Sequence, residues 1–302
     1  MNGMRKILTL MAVCCFILSC SVLPQALPED SCAVISGKTK AMGFSDYAAD
    51  NDFVFGLSVH LGSQEPYSAD HMWNTRVSAE GGIWKTDDVI YWMPGMQLRF
   101  YAYMPYVAPD APNEFMTISS AGEVPEIQYI ASFNAGQHID IQVAEDIREN
   151  GTAELNFRHI LACIKVVKGS EFSDNADIEE VRASGIIGNG SYDMVSGTWR
   201  LGIGPGTFRS SGLAEPFMFP PQEIPDKSAA ELEIIVNDQG RRIKGIIPLT
   251  GTRLEGGLLY TYKISYIAGR ITAAATEPMI PGKTYYMDER SEDNTTENDY
   301  IP

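Results

Sequence analysis

Apolar and polar residues alternate with a period of two along most of this chain, the pattern of strands that bury one face. In Leu98–Tyr103, Leu98, Phe100 and Ala102 share one face, and Arg99, Tyr101 and Tyr103 share the other. In His138–Val143, Ile139, Ile141 and Val143 oppose His138, Asp140 and Gln142. Residues 155–167 are apolar on both faces near the middle, which predicts a central strand covered on both sides. Further strands are expected at Leu232–Val236, Ile243–Leu249 and Leu258–Ile267, the last placing Tyr260, Tyr262, Ile264 and Tyr266 on one face. Little reads as helix.

Turn signals punctuate these runs. Asn150-Gly151 and Asn189-Gly190 are hairpin pairs, since both residue types tolerate positive φ. Gly81-Gly82, Pro94-Gly95, Pro205-Gly206, Gly256-Gly257 and Pro281-Gly282 add to them. Many short strands so spaced predict an all-β sandwich architecture. A charged, Gly/Ser-containing stretch from Lys168 to Asn175 marks the best domain boundary. The segment Asp288–Asp299 is acidic and Asn/Thr-rich and reads as a frayed tail.

The N-terminus departs from this pattern. Arg5 and Lys6 precede an uncharged apolar run, Ile7–Leu18, that ends at Ser19-Cys20. At about a dozen residues the run is too short for a spanning helix, which takes roughly 20, and suits an export signal. Ile17-Leu18-Ser19-Cys20 resembles a lipobox, which implies lipidation of Cys20 and cleavage just before it; an ordinary signal-peptidase site is the alternative. The expected organisation is a signal peptide at 1–19, a leader at 20–40, sandwiches at 41–168 and 169–287, and a tail at 288–302.

Composition narrows the function classes. The formal net charge is −16, from 23 Lys+Arg against 39 Asp+Glu. Such a surface repels nucleic acid and anionic lipid. The chain has five cysteines; Cys14 and Cys15 leave with the signal and Cys20 takes the lipid. Cys32 and Cys163 remain, too few for a disulfide framework; Cys163 lies in an apolar strand pattern and reads as a buried free thiol, with pairing to Cys32 in an oxidising compartment as the alternative. His60, His71, His138 and His159 show no metal-ligand spacing with another His or Cys. His159, between Phe157 and Leu161, reads as a packed core histidine. His138 and Asp140 share a strand face two residues apart, the spacing of a proton relay or of a solvated face. Asp87-Asp88 and Glu179-Glu180 lack the ligand density of a calcium loop. No nucleophile elbow or phosphate loop occurs, so no cofactor, metal or catalytic residue is expected. The crowd of Trp73, Trp84, Trp92, Tyr101, Tyr103 and Tyr106 reads as framework, or, if exposed, as a stacking platform for sugars.

Several segments in order resemble the fimbrillin family, the type V pilus subunits and related surface lipoproteins of Gram-negative anaerobes. They are Gly81-Gly82-Ile83-Trp84, Tyr91-Trp92-Met93-Pro94 and Leu98–Pro105; then Ile139–Ala144 and Leu155–Ala162; then Gly190–Trp199 and Phe219-Pro220-Pro221-Gln222. The resemblance covers roughly residues 40–270. It implies two tandem transthyretin-like β-sandwich domains and a non-catalytic subunit of the outer membrane surface, held by lipid on Cys20. Its implied partners are other pilus subunits, joined by strand donation, and a host protein or glycan. A monomeric glycan- or protein-binding lipoprotein is the alternative. In the family a protease removes a leader after a basic residue. Thr39-Lys40-Ala41 stands where many members have Thr-Arg-Ala, so Lys40 and Ala41 flank the implied cut; solvated linker charges are the plain alternative for Lys38 and Lys40. The long run past Ile271 departs from the family, where many members end soon after the last strand.

Overall fold

The computed structural model describes residues 34–38, 54–62, 70–80, 83–92, 94–213, 215–276 and 295–296. Strands dominate throughout, and among the described residues the only helical element is a 3-10 turn at Ala135–Gln137. The all-β expectation holds.

The first half supplies β1 (Val34–Lys38), β2 (Val54–Leu61), β3 (Asp70–Glu80), β4 (Ile83–Thr86), β5 (Leu98–Met104), β6 (Met116–Ile118), β7 (Glu126–Ile130), β8 (Gln142–Arg148), β9 (Thr152–Asn156) and β10 (Arg158–His159). Six of them form one antiparallel sheet in the order β10-β8-β5-β2-β3-β4. Its inner face carries Phe55, Leu57, Val59, Leu98, Phe100 and Ala102, all fully buried. Across that core lies a parallel pair, β1 with β9, which contributes Ala153 and Leu155 from β9. The alternation read in Leu98–Tyr103 therefore sorts correctly. Its second face is covered too: Tyr101 and Tyr103 are buried and belong to the core of the other half.

The second half follows with β11 (Ala162–Phe172), β12 (Ala176–Ile186), β13 (Asn189–Asp193), β14 (Thr198–Leu201), β15 (Gly206–Ser211), β16 (Phe217–Phe219), β17 (Gln222–Glu223), β18 (Glu231–Asp238), β19 (Arg241–Pro248), β20 (Arg253–Leu254), β21 (Leu259–Ile267), β22 (Arg270–Ala275) and β23 (Thr295–Thr296). Two sheets, β16-β11-β21-β22-β23 and β15-β12-β18-β19, enclose one core. Ile164, Val166, Tyr260, Tyr262, Ile264 and Tyr266 meet Ile178, Val181, Leu232 and Ile234 there. The shared face expected of Tyr260, Tyr262, Ile264 and Tyr266 is that buried face. A third sheet, β14-β13-β7-β6, joins a hairpin of the first half to one of the second, with Tyr192 opposite Ile127.

Several sequence readings change. Residues 155–167 are not one central strand. The segment crosses from one sandwich to the other, sending Leu155 and Phe157 into the first core and Ile160, Leu161 and Ile164 into the second. Two sets of neighbours, rather than two covered faces, explain its apolarity. The boundary expected at 168/169 falls inside β11, which runs on to Phe172 and pairs with β21. Asn189-Gly190 is no turn: it opens β13, where a Cβ on Gly190 would stand 2.8 Å from the Arg200 carbonyl oxygen. The glycine permits close strand approach. Asn150-Gly151 does turn, with Gly151 at φ +83°, but it links strands of different sheets. In the expected tail, Thr295 and Thr296 pair with Ala274 and Ala273.

Candidate strand-acceptor edge

The distinctive site is the edge of β9. Its register with β1 runs in parallel from Val34 opposite Thr152 to Lys38 opposite Asn156. Among the described residues β9 has no other ladder partner. The strand that fills this edge thus belongs to the expected leader, 20–40, and ends two residues before Lys40. Cys20, Cys32, Lys40 and Ala41 themselves lie outside the described residues. Ala153 and Leu155 point into the first core while Thr152, Glu154 and Asn156 are exposed, so β9 is held inward by apolar contact and sideways by β1.

A side chain braces the opposite flank of β9. Asp146 Oδ2 accepts from the backbone N–H of Glu154 and from Arg148 Nε, both at 2.7 Å. Its Oδ1 accepts from the backbone N–H of Ile147 at 2.9 Å. Arg148 also reaches Glu154 Oε2 at 3.6 Å. The hydrogen-bonded Asp146 carboxylate holds the Arg148 guanidinium above its ordinary pKa.

His138 and His159 serve packing. Gln142 rather than His138 starts β8, because the 3-10 turn lies just before it, and His138 and Asp140 take separate partners. Met218 N–H donates to His138 Nδ1 at 2.9 Å, which leaves Nε2 to carry the proton toward the Ser132 carbonyl at 2.7 Å. Burial pushes the His138 pKa down to about 4. Asp140 instead bonds His159 Nδ1 at 2.9 Å, and His159 is buried as expected. Cys163 is a buried free thiol, and burial drives its pKa upward. Among the described residues no cluster of three or more His, Cys, Asp or Glu stands ready for a metal.

Half of the aromatic crowd is framework, while Trp73, Trp84 and Tyr106 are half-buried. Trp92, Tyr101 and Tyr103 are buried, and Tyr103 O–H donates to Asn74 Oδ1 at 2.6 Å, so they offer no exposed sugar platform. Other motif residues also acquire structural reasons. Gln222 Nε2 donates to the carbonyls of Ile187 and Pro220 while its Oε1 accepts from Ile187 N–H. Trp199 Nε1 donates to the Ile160 carbonyl at 3.0 Å and so ties the β13–β14 hairpin to the crossover. Sequence reasoning missed β1 and Asp146. A five-residue VISGK stretch has no clear period, and its partner is more than a hundred residues away in sequence.

The fimbrillin-like family profile matches residues 45–280. Among solved structures, a candidate cell adhesion protein from Bacteroides uniformis is similar with a TM-score of 0.61 at 16% identity, covering 84% of this chain and 99% of its own. A second, from Bacteroides ovatus, gives a TM-score of 0.60 at 16% identity with the same coverage. At that identity the likeness concerns the fold. No curated protein matches the chain. With the profile spanning well over half of its length, the chain belongs to the fimbrillin-like family.

Proposed function

We propose that this chain is a non-catalytic, surface-displayed adhesion subunit that joins its neighbours by strand exchange at the β9 edge. One observation carries the reading: the strand on that edge, Val34–Lys38, comes from the segment that precedes Lys40. Cutting between Lys40 and Ala41 severs β1 from the chain that follows. Its departure leaves the N–H and C=O groups of one side of β9 without partners. Such an edge is a template for any extended strand that reaches it. A neighbouring subunit's strand restores the ladder and links the two chains. Lipid on Cys20 holds the uncut chain at the outer membrane, so the cut both frees the subunit and exposes the edge. Membership of the fimbrillin-like family and the cell-adhesion descriptions of the similar structures agree with this role.

The test is Lys40→Ala expressed in the native host. An uncut, lipid-held monomer is expected. A processed, polymeric product would rule out Lys40 as the cut site. Antibody labelling in electron microscopy is expected on surface filaments, and label confined to the bare envelope would overturn the polymer.

A further inference from the structure

We propose that Asp146 is the positioning residue of this edge: its carboxylate keeps β9 in place and in register while no strand occupies the groove. The inference rests on the strand-exchange reading above. Backbone groups of successive residues in a strand point to opposite flanks. Glu154 directs its N–H at Asp146, so Ala153 and Leu155 present theirs to β1. The two flanks are thus held by different means: a neighbouring strand on one, a carboxylate on the other.

When β1 leaves, β9 loses its whole ladder. Two restraints remain, the burial of Ala153 and Leu155 and the Asp146 bond. Burial alone is non-directional, and it does not stop a five-residue strand from tilting or slipping by two residues. The carboxylate adds direction. Its other oxygen accepts from Ile147 N–H next to it, which sets its rotamer, and only 16% of the side chain is exposed. The Asn150-Gly151 turn lies within this brace, between Arg148 and Thr152, and Gly151 is at positive φ. Asp146 therefore closes the turn and sets where β9 begins. A hydrogen bond to a charged group contributes more than a neutral one, which suits a restraint that must act alone.

The experiment uses the full chain with a sequence-specific protease site inserted after Lys40. The chain is nicked while folded and mixed with an isotope-labelled peptide of residues 33–40. Capture of the peptide is followed by mass spectrometry in the wild type, Asp146→Ala, Asp146→Asn and Arg148→Met. Capture is expected to slow by about tenfold in Asp146→Ala. It should return to within about threefold of wild type in Asp146→Asn, which keeps an acceptor for Glu154 N–H. It should stay near wild type in Arg148→Met, which spares that bond. Equal capture in wild type and Asp146→Ala overturns this inference and leaves strand exchange standing. An equal loss in Arg148→Met also overturns it, pointing to general stability rather than position. No capture by the wild type overturns the strand-exchange reading itself. Should Asp146→Ala fail to fold by circular dichroism, hydrogen exchange of the nicked wild type freed of the leader decides the matter: a protected Glu154 amide supports the inference, and one that exchanges freely overturns it.

Discussion

Acid should unfold this protein partly through one histidine. His138 bridges the 132–138 turn and β16 in its neutral form, with Nδ1 accepting from Met218 and Nε2 facing Ser132. Burial lowers its folded pKa to about 4 from an ordinary value of 6.5. Between those values the unfolded chain binds the proton and the folded one does not, so stability rises with pH across that window. The contribution is complete above about pH 6.5 and drains away as the pH falls toward 4. From pH 7 to pH 5 the loss comes to about 2 kcal/mol. Urea unfolding of the wild type and His138→Gln at both pH values isolates it. Glutamine offers an acceptor and a donor without titrating, and the carboxylates common to both proteins cancel in the difference. The wild type should lose about 2 kcal/mol more than the variant on acidification. An identical pH dependence in the two proteins would refute the assigned protonation state.

Three further outcomes follow from the packing. Gln222→Ala should cost about 1 kcal/mol in urea unfolding, because it strands the Ile187 N–H and C=O in a partly buried site; no measurable loss contradicts that role. Leu161→Ala, at a fully buried crossover position, should cost about 3 kcal/mol. The same variant should shift the unfolding of both halves together, since Tyr101, Tyr103 and Val143 of the first sheet share the second core; two separated transitions contradict the shared core. Gly185→Ala should also destabilise, by at least about 1 kcal/mol, since Gly185 has φ +75° and an added Cβ would lie 2.6 Å from Ala230 Cα.

Local signals in the sequence reveal the strands whose neighbours treat their two faces differently. Leu259–Ile267 is one, with its four large residues turned to a single core. The crossover at 155–161 misleads, because period-two reasoning assumes one sheet and this segment serves two. The hairpin of β6 and β7 is equally hidden: its pairing with β13 spans the sequence from Ile127 to Tyr192, and nothing local encodes it. The acceptor edge is half legible. Thr39-Lys40-Ala41 is legible as a resemblance to the family's processing motif, on which the proposed cut rests, while the parallel partner of Val34–Lys38 emerges only in three dimensions. Asp146 looks like any polar residue of a half-exposed strand until Glu154 N–H is found against it.

Hydrogen exchange at the β9 amides tests the central claim most directly. Ala153 and Leu155 should be protected in the uncut chain, exchange quickly once the segment before Ala41 is removed, and regain protection in assembled material. Protection that survives removal of that segment unchanged, in protein shown to be monomeric, would contradict an acceptor role for this edge.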